Sequence, residues 1–154
     1  RHRLPDARLV LVGEPLNPRY LARLRDLADE LAPGAVAFEH GLSTAELAER
    51  FRRAHAFVSL SEHEGFCIPL LEAFHMAVPV VARPAGGVPE VAGDAALLTG
   101  DRDPAVLAEL VALAVEDEPL RAELVERGRA RLPEFAEAAL SSTFYLALSP
   151  VAEQ

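Results

Sequence analysis

The alternation of short apolar runs with longer segments of helical periodicity constrains this fold most. The runs are rich in Val, Leu and Ala, and they recur at intervals of about twenty residues, which leaves room for a helix between consecutive parallel strands. Apolar runs without alternation are typical of strands that are buried on both faces of a parallel sheet. We predict such strands at 8–13, 36–38, 56–60 and 78–82, with a weaker strand at 95–98.

Helical segments fill the intervals between these strands. Apolar residues at three- and four-residue steps predict a helix from Pro18 to Leu31. Ser43 with Glu46 three residues later is a capping box that opens a helix ending at Ala54. Short connections and right-handed crossovers then predict an α/β fold with a Rossmann-like, doubly wound parallel sheet, in one domain over 1–154. Further helices are predicted at 69–77, 105–115, 120–132 and 134–148.

Charge and cysteine content exclude several classes of function. The 15 Lys and Arg against 24 Asp and Glu give a formal net charge of −9, which disfavours nucleic acid or an anionic membrane as the main partner. Cys67 is the single cysteine, so neither an intrachain disulfide nor a cysteine-cluster zinc site can form. With no apolar run of about 20 residues and no signal-peptide pattern at the N-terminus, we expect a cytoplasmic protein.

The residues that carry chemistry concentrate between positions 61 and 90. Glu64 and Glu72 stand on either side of Pro69, which lacks an N–H group and is tolerated only in the first turn of a helix. Gly65–Ile68 therefore form the loop that enters the helix, and Glu72 lies about one turn inside it. A ligand with hydroxyl groups and a diphosphate would satisfy both carboxylates and the free N–H groups at the helix start.

Three motifs in order resemble a known family. They are the Glu64–Glu72 segment EGFCIPLLE, the strand VPVVA and the loop Gly86-Gly87-Val88-Pro89-Glu90. Together they resemble the C-terminal, donor-binding half of the retaining glycosyltransferases of the GT-B fold, in the group 1 branch that includes bacterial mannosyltransferases. The similarity covers roughly Leu4 to Arg131.

The resemblance implies a role for individual residues of this chain. Glu64, as the catalytic residue, would contact hydroxyl groups of the transferred sugar, and Glu72 would bind the ribose. The diphosphate would lie against the backbone of Gly65, Phe66, Cys67 and Ile68, where Cys67 replaces the more usual glycine and narrows the approach. The remaining donor-binding positions are Gly13 at the end of the first strand and the segment Phe38 to Leu42, which would line the nucleobase pocket.

The implied reaction is transfer of a hexose, with mannose as the leading candidate, from a GDP- or UDP-sugar to a hydroxyl acceptor with retention of configuration. The resemblance implies no cofactor and no metal. It also implies that this chain lacks a strand and helix before Leu4, with an Arg and a Lys for the diphosphate, and a whole N-terminal acceptor domain. We therefore expect a fragment that is inactive alone and whose partner is that N-terminal domain.

Two other classes of protein fit this sequence less well. A dinucleotide-binding domain typically has Gly-x-Gly-x-x-Gly after the first strand. Here Gly13 is followed by Glu-Pro-Leu-Asn-Pro, which lacks the other two glycines. A signalling module of the receiver type needs an aspartate at a strand end, where this sequence offers Gly13, Phe38, Ser61 and Ala82. Although both patterns are missing, a non-catalytic nucleotide-binding or signalling α/β module is the alternative to a glycosyltransferase domain.

Several residues near the motifs also have a purely structural interpretation. Asp101-Arg102-Asp103 spells a metal-binding pattern of other glycosyltransferases, but Pro104 makes Asp103 a helix N-cap. Gly86-Gly87 is equally well explained as a turn that opens a short helix. Arg83, after the fourth strand, is interpreted as a surface arginine, with a contact to phosphate as the alternative.

Overall fold

The computed structural model describes residues 4–14 and 17–136. Within these ranges, five short strands alternate with helices, as the apolar runs predict. The parallel α/β class is therefore confirmed. The elements are β1 Leu9–Val12, α1 Pro18–Leu31, β2 Val36–Glu39, α2 Thr44–Arg53, β3 Phe57–Ser59, α3 Ile68–His75, β4 Val80–Ala82, α4 Val88–Ala92, β5 Ala96–Leu98, α5 Pro104–Glu116, α6 Glu118–Arg131 and a 3₁₀ turn Leu132–Phe135.

The chain divides into two compact units, residues 1–50 and 51–154. Unit 1 contains β1 paired in parallel with β2, with Leu9 opposite Val36 and Val12 opposite Glu39. Unit 2 contains the three parallel strands β3, β4 and β5, with β4 in the middle. In the described residues the strands therefore form a two-stranded and a three-stranded hydrogen-bonded sheet.

Side-chain hydrogen bonds cap the starts of both helices that begin in unit 1. The side chain of Asn17 accepts hydrogen bonds from the backbone N–H groups of Arg19 and Tyr20 and so caps α1. The predicted capping box before α2 is confirmed, because Glu46 accepts from the backbone N–H of Ser43 at 2.8 Å while the Ser43 hydroxyl accepts from the Glu46 N–H. The N-terminal ends of both helices follow from these local bonds.

Within the described residues the first strand is not buried on both faces, contrary to the prediction. The side chains of β1, from Leu9 to Val12, are between 39% and 47% exposed. Among the described residues, β1 pairs with β2 alone and no residue of α1 is buried, so these residues leave the strand largely uncovered. Among the described residues of unit 1, Ala35 is the one apolar residue that reaches the buried class.

Unit 2 contains the core. All three residues of β4 are fully buried, since β4 has a strand on each side and packs against α3 and α5. Gly128 of α6 lies directly on the Phe74 ring, where an added Cβ would be 2.6 Å from a ring carbon. The other buried residues include Leu70, Ala73, Val88, Val91, Ala112, Ala114 and Leu124.

The C-terminal helix predicted at 134–148 does not begin at Glu134. Leu132–Phe135 form a 3₁₀ turn after α6, and Ala136 is extended, with φ −66° and ψ 147°. Pro133 has no N–H to continue the α-helical ladder, which explains the change of geometry. The rest of that predicted helix lies outside the described residues. No helix in the described ranges is long and apolar enough to cross a membrane.

Candidate functional site

The loops that leave the carboxyl ends of β3, β4 and β5 form the candidate site of unit 2. The parallel ladder continues just past the strands, because the Arg83 N–H donates to the Ser59 carbonyl at 2.8 Å and the Thr99 N–H to the Ala82 carbonyl at 3.0 Å. The three loops therefore start side by side at one edge of the sheet. This edge is where ligands bind in parallel α/β folds.

The start of α3 exposes backbone donors, as the position of Pro69 predicts. The helix begins at Ile68, and the N-cap residue Cys67 makes no side-chain cap hydrogen bond. The first-turn N–H groups of an uncapped helix, together with its dipole, favour a negatively charged ligand. The geometry thus agrees with the expectation that the loop from Gly65 to Ile68 enters a helix at the ligand edge.

Cys67 combines burial with an unusual backbone conformation. Its φ of 60° and ψ of 61° lie in the left-handed region, which disfavours residues with a Cβ. The side chain is buried. Burial, with a smaller contribution from the negative charge of Glu64, raises the pKa of the Cys67 thiol, which favours the protonated thiol at neutral pH.

Both glutamates of the motif belong to unit 2 and are half-buried. Glu64 lies in the β3–α3 loop and Glu72 in α3. Within residues 4–14 and 17–136, the structure records no hydrogen bond or ion pair to the Glu72 carboxylate. The described residues therefore do not show Glu72 as a helix carboxylate that pairs inside the domain, and a carboxylate has several acceptor sites for ligand hydroxyl groups.

The Gly86-Gly87 turn lies against the backbone of the Glu64 loop. Gly86 has φ +55°, and a Cβ there would lie 1.9 Å from the Glu64 carbonyl oxygen, whereas a Cβ on Gly87 would lie 2.3 Å from the Gly65 oxygen. The Gly87 N–H also donates to the Glu64 carbonyl at 3.3 Å. The turn therefore opens α4, as the structural interpretation predicts, and its backbone packs against the loop that carries Glu64.

Three charged side chains meet at the same edge. Glu62 accepts from Arg102 at 2.8 Å and from Arg83 at 3.4 Å. The Arg83 side chain is only 16% exposed, which corrects its interpretation as a surface arginine. Sequence reasoning missed Glu62 altogether. The sequence signal that could have indicated this cluster is one charged residue just after each of three consecutive strands, one of them acidic and two basic.

Both carboxylates of the Asp-x-Asp segment accept hydrogen bonds from backbone N–H groups. Asp103 caps α5 by accepting from the Ala105 N–H at 2.8 Å, and Asp101 accepts from the Asp103 N–H at 2.9 Å. The predicted N-cap role of Asp103 is confirmed. Among the described residues, no group of three or more His, Cys, Asp or Glu side chains is arranged to hold a metal ion.

Unit 1 has a cavity of about 330 Å³ at the carboxyl ends of its two strands. Its rim is tied by a hydrogen bond from the Gly41 N–H to the Glu14 carboxylate at 2.9 Å, and the Arg25 guanidinium stands over the Phe38 ring at 5.8 Å. Gly13 and Phe38 line this cavity, whereas Leu42 is not among its lining residues. The lining consists of Leu11, Val12, Gly13, Glu14, Asn17, Tyr20, Leu21, Leu24, Phe38, Glu39 and His40.

The parallel strands with a loop cluster at their carboxyl edge define the class of this chain, the parallel α/β proteins in which ligands bind where the strands end. More specifically, the chain belongs to the glycosyl transferases group 1 family, whose sequence profile matches residues 1–131. This result confirms the family that the Glu64–Glu72 motif predicts.

Individual relatives agree with the family. The chain is 38% identical over 128 residues to the D-inositol 3-phosphate glycosyltransferase of Stackebrandtia nassauensis. The alignment covers 78% of this chain and 28% of that protein. It is 32% identical over 135 residues to a GDP-mannose-dependent phosphatidylinositol monomannoside mannosyltransferase of Corynebacterium glutamicum, covering 83% of this chain and 35% of that protein. This chain therefore spans about a third or less of these relatives.

The fold agrees as well. The crystal structure of Anabaena HepE in complex with UDP-glucose superposes with a TM-score of 0.81 at 21% identity, covering 97% of this chain and 43% of that chain. Structural neighbours of this kind are GT-B glycosyltransferases, so the GT-B assignment made from the sequence is confirmed.

Proposed function

We propose that this chain is the donor-binding part of a longer retaining glycosyltransferase, which transfers a hexose from a nucleoside diphosphate sugar to a hydroxyl group. The observation that carries the proposal is the β3–α3 loop, where an uncapped helix start lies between two half-buried glutamates at the ligand edge of the sheet. The relatives' names support a hexosyl donor, and the chain's span of about a third or less of their length supports a further acceptor domain.

Each part of the donor has a matching group in this proposal. The N–H groups of Gly65, Phe66, Cys67 and Ile68 donate to the diphosphate, whose charge the dipole of α3 favours. A carboxylate accepts two hydroxyl hydrogen bonds at once, so Glu72 suits the ribose and Glu64 suits the hexose. The neutral Cys67 thiol adds no negative charge beside the diphosphate.

The nucleobase contacts residues of unit 1. We assign it to the cavity lined by Gly13 and Phe38, with Leu42 on the adjoining loop. The walls are mostly apolar, with a few polar groups such as His40, which is the usual make-up of a site for a planar heterocycle. Between the two nucleotides we favour GDP, with mannose as the sugar, because the Corynebacterium relative is named for GDP-mannose; the UDP-glucose complex of HepE supports UDP as the alternative.

Catalysis in this proposal consists of positioning and charge stabilisation. The departing diphosphate gains negative charge as the bond to the sugar breaks, and preorganised helix-terminal N–H groups stabilise that charge without reorganisation. No metal and no cofactor enter the proposal. The carboxylates of Asp101 and Asp103 already accept backbone hydrogen bonds. A cytoplasmic location also belongs to the proposal, because a chain with one cysteine forms no intrachain disulfide.

Calorimetric titration with UDP and GDP tests the donor site. We expect one of the two nucleotides to bind the complete enzyme, and its sugar derivative to be turned over in the presence of EDTA. Loss of turnover that manganese restores would contradict the metal-free mechanism. Binding of a nucleotide without turnover of either sugar by the complete enzyme would favour the non-catalytic module, and binding of neither nucleotide would refute the donor site.

The 154-residue chain alone is expected to transfer no sugar, because the proposed acceptor domain is not part of it. The measurement is release of UDP or GDP from the sugar nucleotide with simple glycosides as acceptors, with the complete enzyme as the positive control. Transfer by the chain alone would show that the acceptor site lies within these residues.

A further inference from the structure

We propose that Glu62, Arg83 and Arg102 form a positioning triad that sets the place of Glu64 in the donor site. This inference rests on the proposed function, in which Glu64 contacts the transferred sugar. The three residues follow β3, β4 and β5 respectively, and Glu62 bridges the other two through one carboxylate oxygen. The triad therefore ties together the three loops of the candidate site.

Arg83 is the anchor of the triad. Its side chain is 16% exposed, compared with 75% for Arg102, and its Nε is buried without a hydrogen-bond partner among the described residues. Its backbone N–H is fixed to β3 at the Ser59 carbonyl. A guanidinium that is mostly out of water is screened little by salt, so it attracts Glu62 more persistently than an exposed arginine does.

Arg102 lies closer to Glu62 than Arg83 does, but we expect its substitution to lower turnover less. Both side chains of this pair are exposed, at 75% and 63%, and exposed ion pairs contribute little because water and salt screen them. For the position of Glu62, the burial of Arg83 therefore matters more than the shorter distance to Arg102. We expect substitution of Arg83 to lower turnover more than substitution of Arg102.

The ion pairs of Glu62 also restrain Glu64, because one residue separates the two along the loop. Glu64 is two residues further along the loop, and its carbonyl already lies against Gly86 and Gly87. The loop is thus held by backbone contact at Glu64 and by charge at Glu62. Displacing a positioned group by about 1 Å is enough to cost on the order of a hundredfold in rate, so release of one of these two anchors is expected to lower turnover.

The test compares matched substitutions in the complete enzyme. Glu62→Gln keeps the shape and removes the charge, and Arg83→Met keeps most of the length and removes the charge. We expect each to lower kcat for the sugar donor by about tenfold, since one of two anchors is lost, while the Kd for free UDP or GDP stays within about twofold because that nucleotide lacks the sugar. Arg83→Lys restores a cation and is expected to recover most of the activity, and Arg102→Ala to lose about threefold or less.

A control and a double variant separate positioning from general stability. Glu123→Gln removes a comparable exposed carboxylate, which pairs with Arg127 on α6, and should leave kcat unchanged. Because Glu62 and Arg83 act as one unit, Glu62→Gln with Arg83→Met should lose no more than the worse single variant. If Arg83→Met lowers the Tm, the exposed Glu62→Gln decides the outcome.

Three results would overturn the triad. They are an unchanged kcat in Glu62→Gln, losses that multiply in the double variant, and an equal loss of nucleotide binding and turnover, which would indicate a general structural role. A wild-type enzyme that binds neither UDP nor GDP refutes the proposed function and the triad with it, whereas normal nucleotide binding with an unchanged kcat in Glu62→Gln refutes the triad alone.

Discussion

The strands β1 and β4 have similar sequences and opposite environments. β1 is Leu-Val-Leu-Val and is between 39% and 47% exposed, whereas β4 is Val-Val-Ala and is fully buried. Among the described residues, β4 has a strand on each side and helices packed against it, while β1 has a single partner strand. An apolar run therefore predicts a parallel strand, but the number of layers around the strand decides whether its side chains are buried.

The same difference separates the two candidate sites. The Glu64 loop of unit 2 lies on a packed core, and glycine backbone contacts and a charge triad hold it. The cavity of unit 1 is built on two strands and a helix without a buried residue. Sites on well-packed elements are held more precisely than sites on weakly packed ones, so we expect the chemistry to depend on unit 2.

The largest expected effect is on stability. Leu70→Ala, at a fully buried position of α3, should lower the free energy of unfolding by about 2–5 kcal/mol because it leaves a cavity in the core. Leu9→Ala, at a position of β1 that is 47% exposed, should cost less than about 1 kcal/mol. Urea unfolding of both variants measures the difference. Similar losses in the two variants would remove the contrast between the units.

The next effect concerns the glycine contact with the Glu64 loop. Gly86→Ala places a methyl group 1.9 Å from the Glu64 carbonyl oxygen, so the loop must move, and we expect donor turnover to fall on the order of a hundredfold. Gly34→Ala in unit 1 is the matched control, because Gly34 also has a positive φ but nothing within 4 Å of the added Cβ. Its cost should be backbone strain alone, of about 1 kcal/mol in stability. Steady-state kinetics of both variants test this, and unchanged turnover in Gly86→Ala would contradict the contact.

The two glutamates of unit 2 should divide the donor between them. Glu72→Ala should weaken binding of free UDP or GDP by about 1.5–3 kcal/mol, the usual worth of a hydrogen bond to a charged group. Glu64→Ala should leave that binding nearly intact while donor turnover falls, because the free nucleotide lacks the sugar. Titration and donor kinetics of both variants provide the measurement. Equal effects on nucleotide binding would refute the division.

The smallest effect is a pH dependence at Cys67. Because burial raises the pKa of this thiol in the folded chain, the unfolded chain ionises first as the pH rises. The thiol's contribution to stability is thus fully present below the ordinary thiol pKa and is lost as the pH rises through the folded one. Iodoacetamide should react slowly with the native protein and quickly after unfolding in urea. Fast labelling of the native protein at neutral pH would show that the thiol is accessible.

Local sequence determined much of this protein. The capping box at Ser43 and Glu46, the N-cap at Asp103 and the start of α3 at Pro69 all follow from bonds between residues that are neighbours in the chain. The Glu64–Glu72 motif likewise gave the family. Such features can be predicted because steric limits and side-chain bonds to nearby backbone operate within one or two helical turns.

Tertiary structure alone decided the rest. Arg102 meets Glu62 across 40 positions of sequence, and Gly86 meets the carbonyl of Glu64 across a strand and a helix. The exposure of β1 and the burial of Arg83 also depend on which elements pack around them. These contacts have no local signature, because packing brings distant segments together and the free energy of burial depends on the area that neighbours remove from water.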